Sequence, residues 1–178
     1  MRKNTRIRKP KFYPPEWPGS RNWVTLLAEV FSMSISMTGG CACGSIRYEC
    51  TAKPMLQYKC HCRTCQRASG SGFVPLLWVP IDKIELTANE PKYFAVDCDS
   101  GRELKRGFCP DCGSLVMFLP GFPGIVIVVA ASLDKPSDFK PDTEIWTSSA
   151  QPWDLLDSSL CQFEQQFTAD DLPHIFHC

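Results

Sequence analysis

The spacing of its cysteines limits what this chain can fold into more than any other feature. Seven of the 11 cysteines in 178 residues lie in three short motifs: Cys41 and Cys43, then Cys60, Cys62 and Cys65, then Cys109 and Cys112. Disulfides usually join cysteines that are remote in sequence, and an odd total leaves one thiol over. Several thiolates on one tight turn are instead what a metal ion requires, so the spacing predicts metal binding, with zinc as the metal.

The other four cysteines show no ligand spacing, and we interpret them as core or free thiols: Cys50, Cys98, Cys161 and Cys178. Among them Cys98 lies in a polar stretch before the last motif and could complete a site. Zinc thiolates persist in a reducing compartment, so the pattern predicts an intracellular, cytoplasmic protein. A disulfide-rich secreted binder is the least favoured alternative.

The charge is unevenly distributed along a chain that is neutral overall. Residues 1–22 hold seven basic side chains against the single acid Glu16, which leaves 12 basic and 18 acidic residues for the rest. A folded part with an acidic excess repels a phosphate backbone. We therefore expect no specific nucleic-acid partner.

The first 36 residues differ from the rest, since they are basic and proline-rich and have no apolar period. We predict a poorly ordered extension over 1–36, a metal-binding domain over 37–166 and a tail over 167–178. Residues 23–31 could form two helical turns but are too short to cross a membrane, so no membrane association is expected. The extension is either a targeting segment or dispensable, with translation starting at Met33 or Met37.

From Gly39 onward, short apolar or alternating runs end at glycine, proline, asparagine or aspartate, which is typical of β-strands and turns. The sequence predicts an all-β fold in which helix is scarce. A β-branched run over 125–129 predicts a strand buried on both faces. The predicted strands lie near 45–50, 56–60, 73–79, 83–86, 92–96, 106–108, 115–119, 125–130 and 144–146.

The seven clustered cysteines divide into a set of four and a set of three. Cys41, Cys43, Cys109 and Cys112 supply four thiolates, which leave no vacant position, so that site is expected to be structural. The loop with Cys60, Cys62 and Cys65 supplies three, and catalytic zinc sites keep three protein ligands and one open position. Three thiolates make zinc a weak Lewis acid but a good partner for another thiol, so chemistry on a sulfur substrate fits best.

Polar residues beside the three-cysteine loop are candidates for ligand binding. Arg63, Gln66 and Arg67 could hold a carboxylate-bearing ligand, or could be ordinary surface residues. We place His61 outside the ligand set, because its neighbours on both sides face the metal. His174 and His177 are expected at the surface of the tail.

Three segments resemble one known family: residues 40–48 around Cys41 and Cys43, residues 60–71 around Cys60, Cys62 and Cys65, and residues 106–114 around Cys109 and Cys112. In order and spacing they resemble the glutathione-dependent formaldehyde-activating and centromere protein V family. Residues 145–149 with Pro152 and Trp153 resemble the end of its domain. The resemblance implies a β-tent, in which short antiparallel sheets are joined at two zinc-binding knuckles, with the same division of the seven cysteines.

The resemblance also implies an activity, the condensation of formaldehyde with glutathione to S-hydroxymethylglutathione, formally a carbon–sulfur lyase reaction. The expected substrates are therefore glutathione, or another small thiol, and an aldehyde. Arg63, Gln66 and Arg67 are the residues expected to bind the thiol compound, and two zinc ions are expected per chain. Fold and function can separate in such families. A non-catalytic zinc-binding scaffold or partner-binding module stays the alternative.

Overall fold

A computed structural model describes residues 36–97, 103–121 and 123–168 of the chain. These ranges contain eleven β-strands, one α-helix and four short 3₁₀ turns, so the predicted all-β class is confirmed. The helix has seven residues, and the described ranges contain no helix that could cross a membrane. Most of the extension, the helical turns expected at 23–31, and Cys98, Cys178, His174 and His177 lie outside the described residues.

All nine predicted strands are present, and two strands and the helix were missed. The helix α1 spans Arg63–Ser69. The strands are β1 Met37–Gly40, β2 Arg47–Cys50, β3 Leu56–Cys60, β4 Val74–Pro80, β5 Ile84–Leu86, β6 Lys92–Asp97, β7 Glu103–Phe108, β8 Leu115–Leu119, β9 Ile125–Val129, β10 Thr143–Ile145 and β11 Cys161–Phe163.

The strands form two sheets that share no strand. Three strands pair in the order β1-β2-β5 and eight in the order β11-β10-β3-β4-β9-β8-β7-β6. The expectation of antiparallel sheets is wrong for β10, which runs parallel to both β3 and β11. Residues 146–160 separate β10 from β11, and a connection of that length allows the crossover that a parallel pair needs.

The missed elements have weak sequence signals. Strand β1 contains two glycines, and it is held by pairing with β2 rather than by its own composition. Helix α1 has no apolar period, but its ends are well defined: Cys62 at its N-cap accepts a hydrogen bond from the Cys65 amide, and Gly70 closes it at φ 71°.

Strand β9 lies between two hydrophobic cores, because all five of its residues are buried. Val126 and Val128 face the core that the three-stranded sheet covers, and Ile125, Ile127 and Val129 face the second core. Burial of this run on both faces is therefore confirmed. Each core also contains part of one cysteine set: the first holds Cys41 and Cys109, and the second holds Cys60 and Cys65.

The second core includes an aromatic group near the end of the described chain. Phe167 is 7% exposed, and its ring centroid lies 6.0 Å from that of Tyr58, 5.6 Å from Trp78 and 6.4 Å from Phe163. Edge-to-face aromatic contacts at such distances stabilise a core beyond simple burial. The packed part of the chain therefore includes Phe167, the first residue of the segment that the sequence assigned to the tail.

We expect Phe167→Ala to lower the free energy of unfolding by about 3–5 kcal/mol, because it leaves a cavity among three aromatic rings. Phe94→Ala is the matched control, since Phe94 is 63% exposed; its effect should stay within about 0.5 kcal/mol. Thermal or denaturant unfolding of both variants measures the difference, and equal effects would show that the Phe167 contacts contribute nothing.

Candidate metal centres and the adjoining cleft

The four-cysteine set comes from two turns that are remote in sequence. The β1–β2 turn brings Cys41 and Cys43 to the β7–β8 turn, which carries Cys109 and Cys112. The Cys43 Sγ lies 3.5 Å from the Cys41 Sγ and 3.7 Å from the Cys109 Sγ. The Ile46 amide donates a hydrogen bond of 3.2 Å to the Cys41 Sγ, as expected where amides stabilise thiolates.

A glycine with positive φ lets each of these turns close around sulfur. Gly44 has φ 78° and donates to the Cys41 carbonyl, and Gly113 has φ 75° and donates to the Cys109 carbonyl. No atom lies within 4 Å of a Cβ built at either position, so backbone conformation and not space requires glycine.

The three-cysteine set is built at the junction of β3 and α1. Cys60 ends β3, Cys62 is the N-cap of α1 and Cys65 lies in its first turn. The Cys62 Sγ is 3.2 Å from the Thr64 hydroxyl and 3.4 Å from the Cys65 amide nitrogen. The first turn of the helix thus places two hydrogen-bonding groups next to the Cys62 sulfur.

Hydrogen bonds among the three thiols give them different pKa values, so that one thiol loses its proton before the others. Those from Cys60 and Cys65 lower the pKa of Cys62 to about 2. The Cys60 thiol lowers the pKa of Cys65, but donation to Cys62 and burial raise it to about 12 overall. Donation to its two neighbours and burial also raise the pKa of Cys60. At neutral pH Cys62 is therefore a thiolate, and a metal ion would replace the two remaining protons.

The four-cysteine set also contains a thiol that ionises easily. The Ser114 hydroxyl, 3.2 Å from the Cys112 Sγ, is the main cause that lowers the pKa of Cys112 to about 6. The Ser114 hydroxyl also accepts a hydrogen bond from the Ala42 amide, so it links the two turns. A thiolate is therefore present at neutral pH in this set too.

Both sets fit the donor requirements of zinc. The Sγ atoms within each set lie within 4.8 Å of one another, so each set could hold a metal ion. A zinc–sulfur distance of about 2.3 Å in a tetrahedron places sulfurs roughly 3.8 Å apart, close to the separations between Cys41, Cys43 and Cys109. Neither set includes a described histidine or carboxylate.

His61 is not among the grouped donors, as the sequence predicted, but it is not at the surface either. It is 0% exposed and lies between two carboxylates: Nδ1 is 3.3 Å from Asp154 Oδ2 and Nε2 is 3.6 Å from Glu144 Oε1. Neither nitrogen has a hydrogen bond of good geometry. Its main-chain amide donates to the Ile145 carbonyl and so fixes the cysteine loop to β10.

Glu144 anchors the same side of the loop. It is fully buried, and its Oε1 accepts a hydrogen bond of 2.9 Å from Lys59 Nζ, while Oε2 accepts one from the Asp157 amide at 3.2 Å. Lys59 and Glu144 are register partners on the parallel strands β3 and β10. The unexpected parallel pairing thus places a buried ion pair directly before the first cysteine of the three-cysteine set.

Gln66 and Arg63, two of the three candidate ligand-binding residues, contact each other. Gln66 is 5% exposed, and its amide nitrogen donates to the His61 and Ser149 carbonyls. Its Oε1 accepts hydrogen bonds from Arg63 and Gln151. Through these hydrogen bonds the Gln66 side chain holds the three-cysteine loop against the segment that follows β10.

Arg67, the third candidate, lines a cleft of about 420 Å³ between α1 and strands β6 to β8. The cleft also includes Arg106, which sequence reasoning did not select as a site residue. The sequence did contain an indication: Arg106 lies two residues from both Leu104 and Phe108 in the strand. It therefore shares their face, which is expected to point to the core. The side chains that line the cleft include Thr64, Arg67, Phe94, Arg106, Phe108 and Leu115.

Two convergent cysteine sets on an all-β scaffold define a class of protein able to bind metal through thiolates. Comparison with known families identifies which members of that class the chain resembles. The model of the family described as glutathione-dependent formaldehyde-activating enzyme matches residues 36–149, and the chain belongs to this family.

Three fungal relatives are named as candidate glutathione-dependent formaldehyde-activating enzymes. The protein from Penicillium rubens is 36% identical over 83 residues, which are 44% of this chain and 42% of the relative. Those from Phaeosphaeria nodorum and Talaromyces marneffei are 33% and 32% identical over 75 residues each, 41% of this chain and 38% and 39% of the relatives. The chain thus matches about two fifths of the length of these relatives.

Among solved structures, a crystal structure of a Rhodobacter sphaeroides protein aligns with a TM-score of 0.45 at 17% identity. The alignment covers 71% of this chain and 99% of that protein. At this level of similarity it adds nothing to the family assignment.

Serine substitutions should separate the two cysteine sets. We expect Cys112→Ser to unfold much of the domain, because structural zinc binding contributes folding free energy on the order of 10 kcal/mol. Cys62→Ser should remove one zinc per chain and leave cooperative unfolding, because the four-cysteine set still joins the two sheets. Metal analysis and thermal unfolding of both purified variants measure this, and loss of all metal in Cys62→Ser would show that the seven cysteines act as one unit.

Proposed function

We propose that this chain condenses a small thiol, glutathione in the first instance, with formaldehyde or another aldehyde. The thiol sulfur adds to the carbonyl carbon, one carbon–sulfur bond forms, and the carbonyl oxygen becomes a hydroxyl by taking the proton that the thiol gives up. No oxidant or reductant is needed. The reverse reaction is that of a carbon–sulfur lyase.

The observation that carries this proposal is the convergence of three thiols without a fourth described protein donor, next to a helix whose Thr64 and Arg67 line a cleft. Among the described residues, Cys60, Cys62 and Cys65 form a set of three, and His61 beside them is turned towards Asp154 and Glu144. Zinc with three protein ligands holds a further thiol as its thiolate, the nucleophilic form. Family membership and the names of the fungal relatives support the same thiol and aldehyde.

The residues around the set would keep the loop in place during the reaction. The Gln66 amide and the main-chain bond from His61 to Ile145 fix the loop on both sides. The cleft gives a small ligand access along α1. We further propose that the four-cysteine set holds a second, structural zinc, which makes two per chain.

The compartment stays a prediction from the cysteine pattern. All seven clustered cysteines are free thiols, as metal binding by the two sets requires, and Cys50 is a free thiol too. Cys161 is disulfide-bonded, which corrects its interpretation as a free thiol.

Exchange between glutathione and its hydroxymethyl adduct tests the proposed activity. We expect the zinc-loaded protein to accelerate this exchange, measured by exchange NMR at equilibrium because the adduct also forms spontaneously. Cys62→Ser should reduce the acceleration at least about 100-fold, since a serine hydroxyl is a poor zinc ligand. Cys50→Ala is the control, because Cys50 is buried outside both sets.

A fully zinc-loaded parent protein that accelerates adduct formation with neither glutathione nor other cellular thiols would contradict the proposal. The chain would then be a zinc-binding scaffold or partner-binding module, and Cys62→Ser would lose metal with no rate to lose.

A further inference from the structure

Two nitrogen atoms of the buried Arg106 guanidinium have no hydrogen-bond partner among the described residues. Arg106 is 8% exposed, and its Nε and Nη2 atoms are buried without a hydrogen bond. The guanidinium also lies over the Phe118 ring, whose centroid is 5.9 Å from Cζ, and its charge acts to lower the pKa of the Cys65 thiol. Buried hydrogen-bond donors are rarely left without an acceptor, because removing them from water is costly. This position therefore points to a ligand that supplies the two missing acceptors.

The two unpartnered atoms indicate the shape of that ligand. The Nε–H bond of an arginine and one N–H bond of Nη2 are parallel and lie on the same edge of the planar group. This edge binds both oxygens of a carboxylate at once, in the bidentate geometry that is the strongest for such a pair. A single carboxylate would thus satisfy both atoms of Arg106.

The cleft has the composition that an acidic, partly apolar small molecule needs. Arg67 adds a second positive charge, while Phe94, Phe108 and Leu115 provide apolar surface. Phe94 is the register partner of Arg106 on the edge strand β6 and is 63% exposed. The volume of about 420 Å³ lies in the usual range for small-molecule sites.

The cleft adjoins the three-cysteine set through helix α1. Thr64 lines the cleft, and its hydroxyl is 3.2 Å from the Cys62 Sγ. Arg67 lines the same cleft two residues after Cys65. A ligand with its sulfur at the cysteine set could therefore extend along this helix face towards Arg106.

We propose that this cleft is a carboxylate subsite for the thiol substrate, with Arg106 as the buried bidentate partner and Arg67 as the second cation. The proposal rests on the proposed function, because it names the part of the thiol that the site recognises. It makes Arg106 the residue that selects thiols with an acidic group over neutral thiols. In this proposal Arg63 and Gln66 do not bind the ligand, since their side chains are hydrogen-bonded to each other.

Binding of S-methylglutathione to the zinc-loaded full chain tests the subsite without the reaction. This probe keeps both carboxylates, but its blocked sulfur cannot become a thiolate. By isothermal titration calorimetry we expect Arg106→Met to weaken binding about tenfold or more, as loss of charge-assisted hydrogen bonds does. The dimethyl ester of the probe should bind the parent protein equally weakly, and Arg106→Met should not weaken ester binding further.

Lys105→Met is the matched control, because Lys105 is the neighbouring cation on β7, is 41% exposed and lies 3.4 Å from Glu103. It should bind S-methylglutathione like the parent protein. Arg106→Lys keeps the charge without the two-pronged edge, and we expect its affinity to fall between parent and Arg106→Met. Without ligand, Arg106→Met should unfold at the same or a higher temperature, because it removes two buried hydrogen-bond donors that have no acceptor.

Equal affinity of the parent protein for the acid and its ester would overturn the subsite, and this comparison needs no variant to fold. Accelerated adduct formation with an unchanged KM for glutathione in Arg106→Met would overturn it too, while leaving the proposed function intact. Arg106-dependent binding of the acid by a protein that accelerates no adduct formation would support the subsite and contradict the proposed function.

Discussion

The convergence of sulfur atoms from separate turns is the constraint on which the rest of this structure depends. The three-stranded and eight-stranded sheets share no strand, and within the described residues one isolated bridge, Gly39 to Leu133, joins them by backbone pairing. Beside the shared hydrophobic core, the four-cysteine set links the sheets, because Cys41 and Cys43 lie in the turn between β1 and β2 and Cys109 and Cys112 in the turn between β7 and β8. Folding and metal binding at this set are therefore expected to be coupled.

The central strand β9 keeps the two sets apart. Its residues are buried on both faces, with one core and one cysteine set on each side. The four-cysteine set lies in two turns and includes the exposed Cys43 and Cys112, while the other set lies at the start of a short helix with Cys62 as its partly exposed member.

Several buried polar groups lack good hydrogen-bond partners, and they lie beside the three-cysteine set or in the cleft next to it. Both nitrogens of His61, Asp154 Oδ2 and two atoms of Arg106 are unsatisfied among the described residues. Each such group lowers stability, because it loses water without gaining a full hydrogen bond. Arg106, the member of this group that lines the cleft, is placed as expected for a residue that binds a ligand rather than for stability alone.

The sequence by itself determined the all-β class, the nine main strands and the division of seven cysteines into four and three, because alternation and ligand spacing are local properties. It could not determine the parallel pairing of β10, which depends on a long connection. Nor did it show that His61 lies between Asp154 and Glu144, which are 93 and 83 positions away in the sequence. Only the tertiary structure placed Arg106 in the cleft, because the burial of a charge depends on which distant elements pack over it.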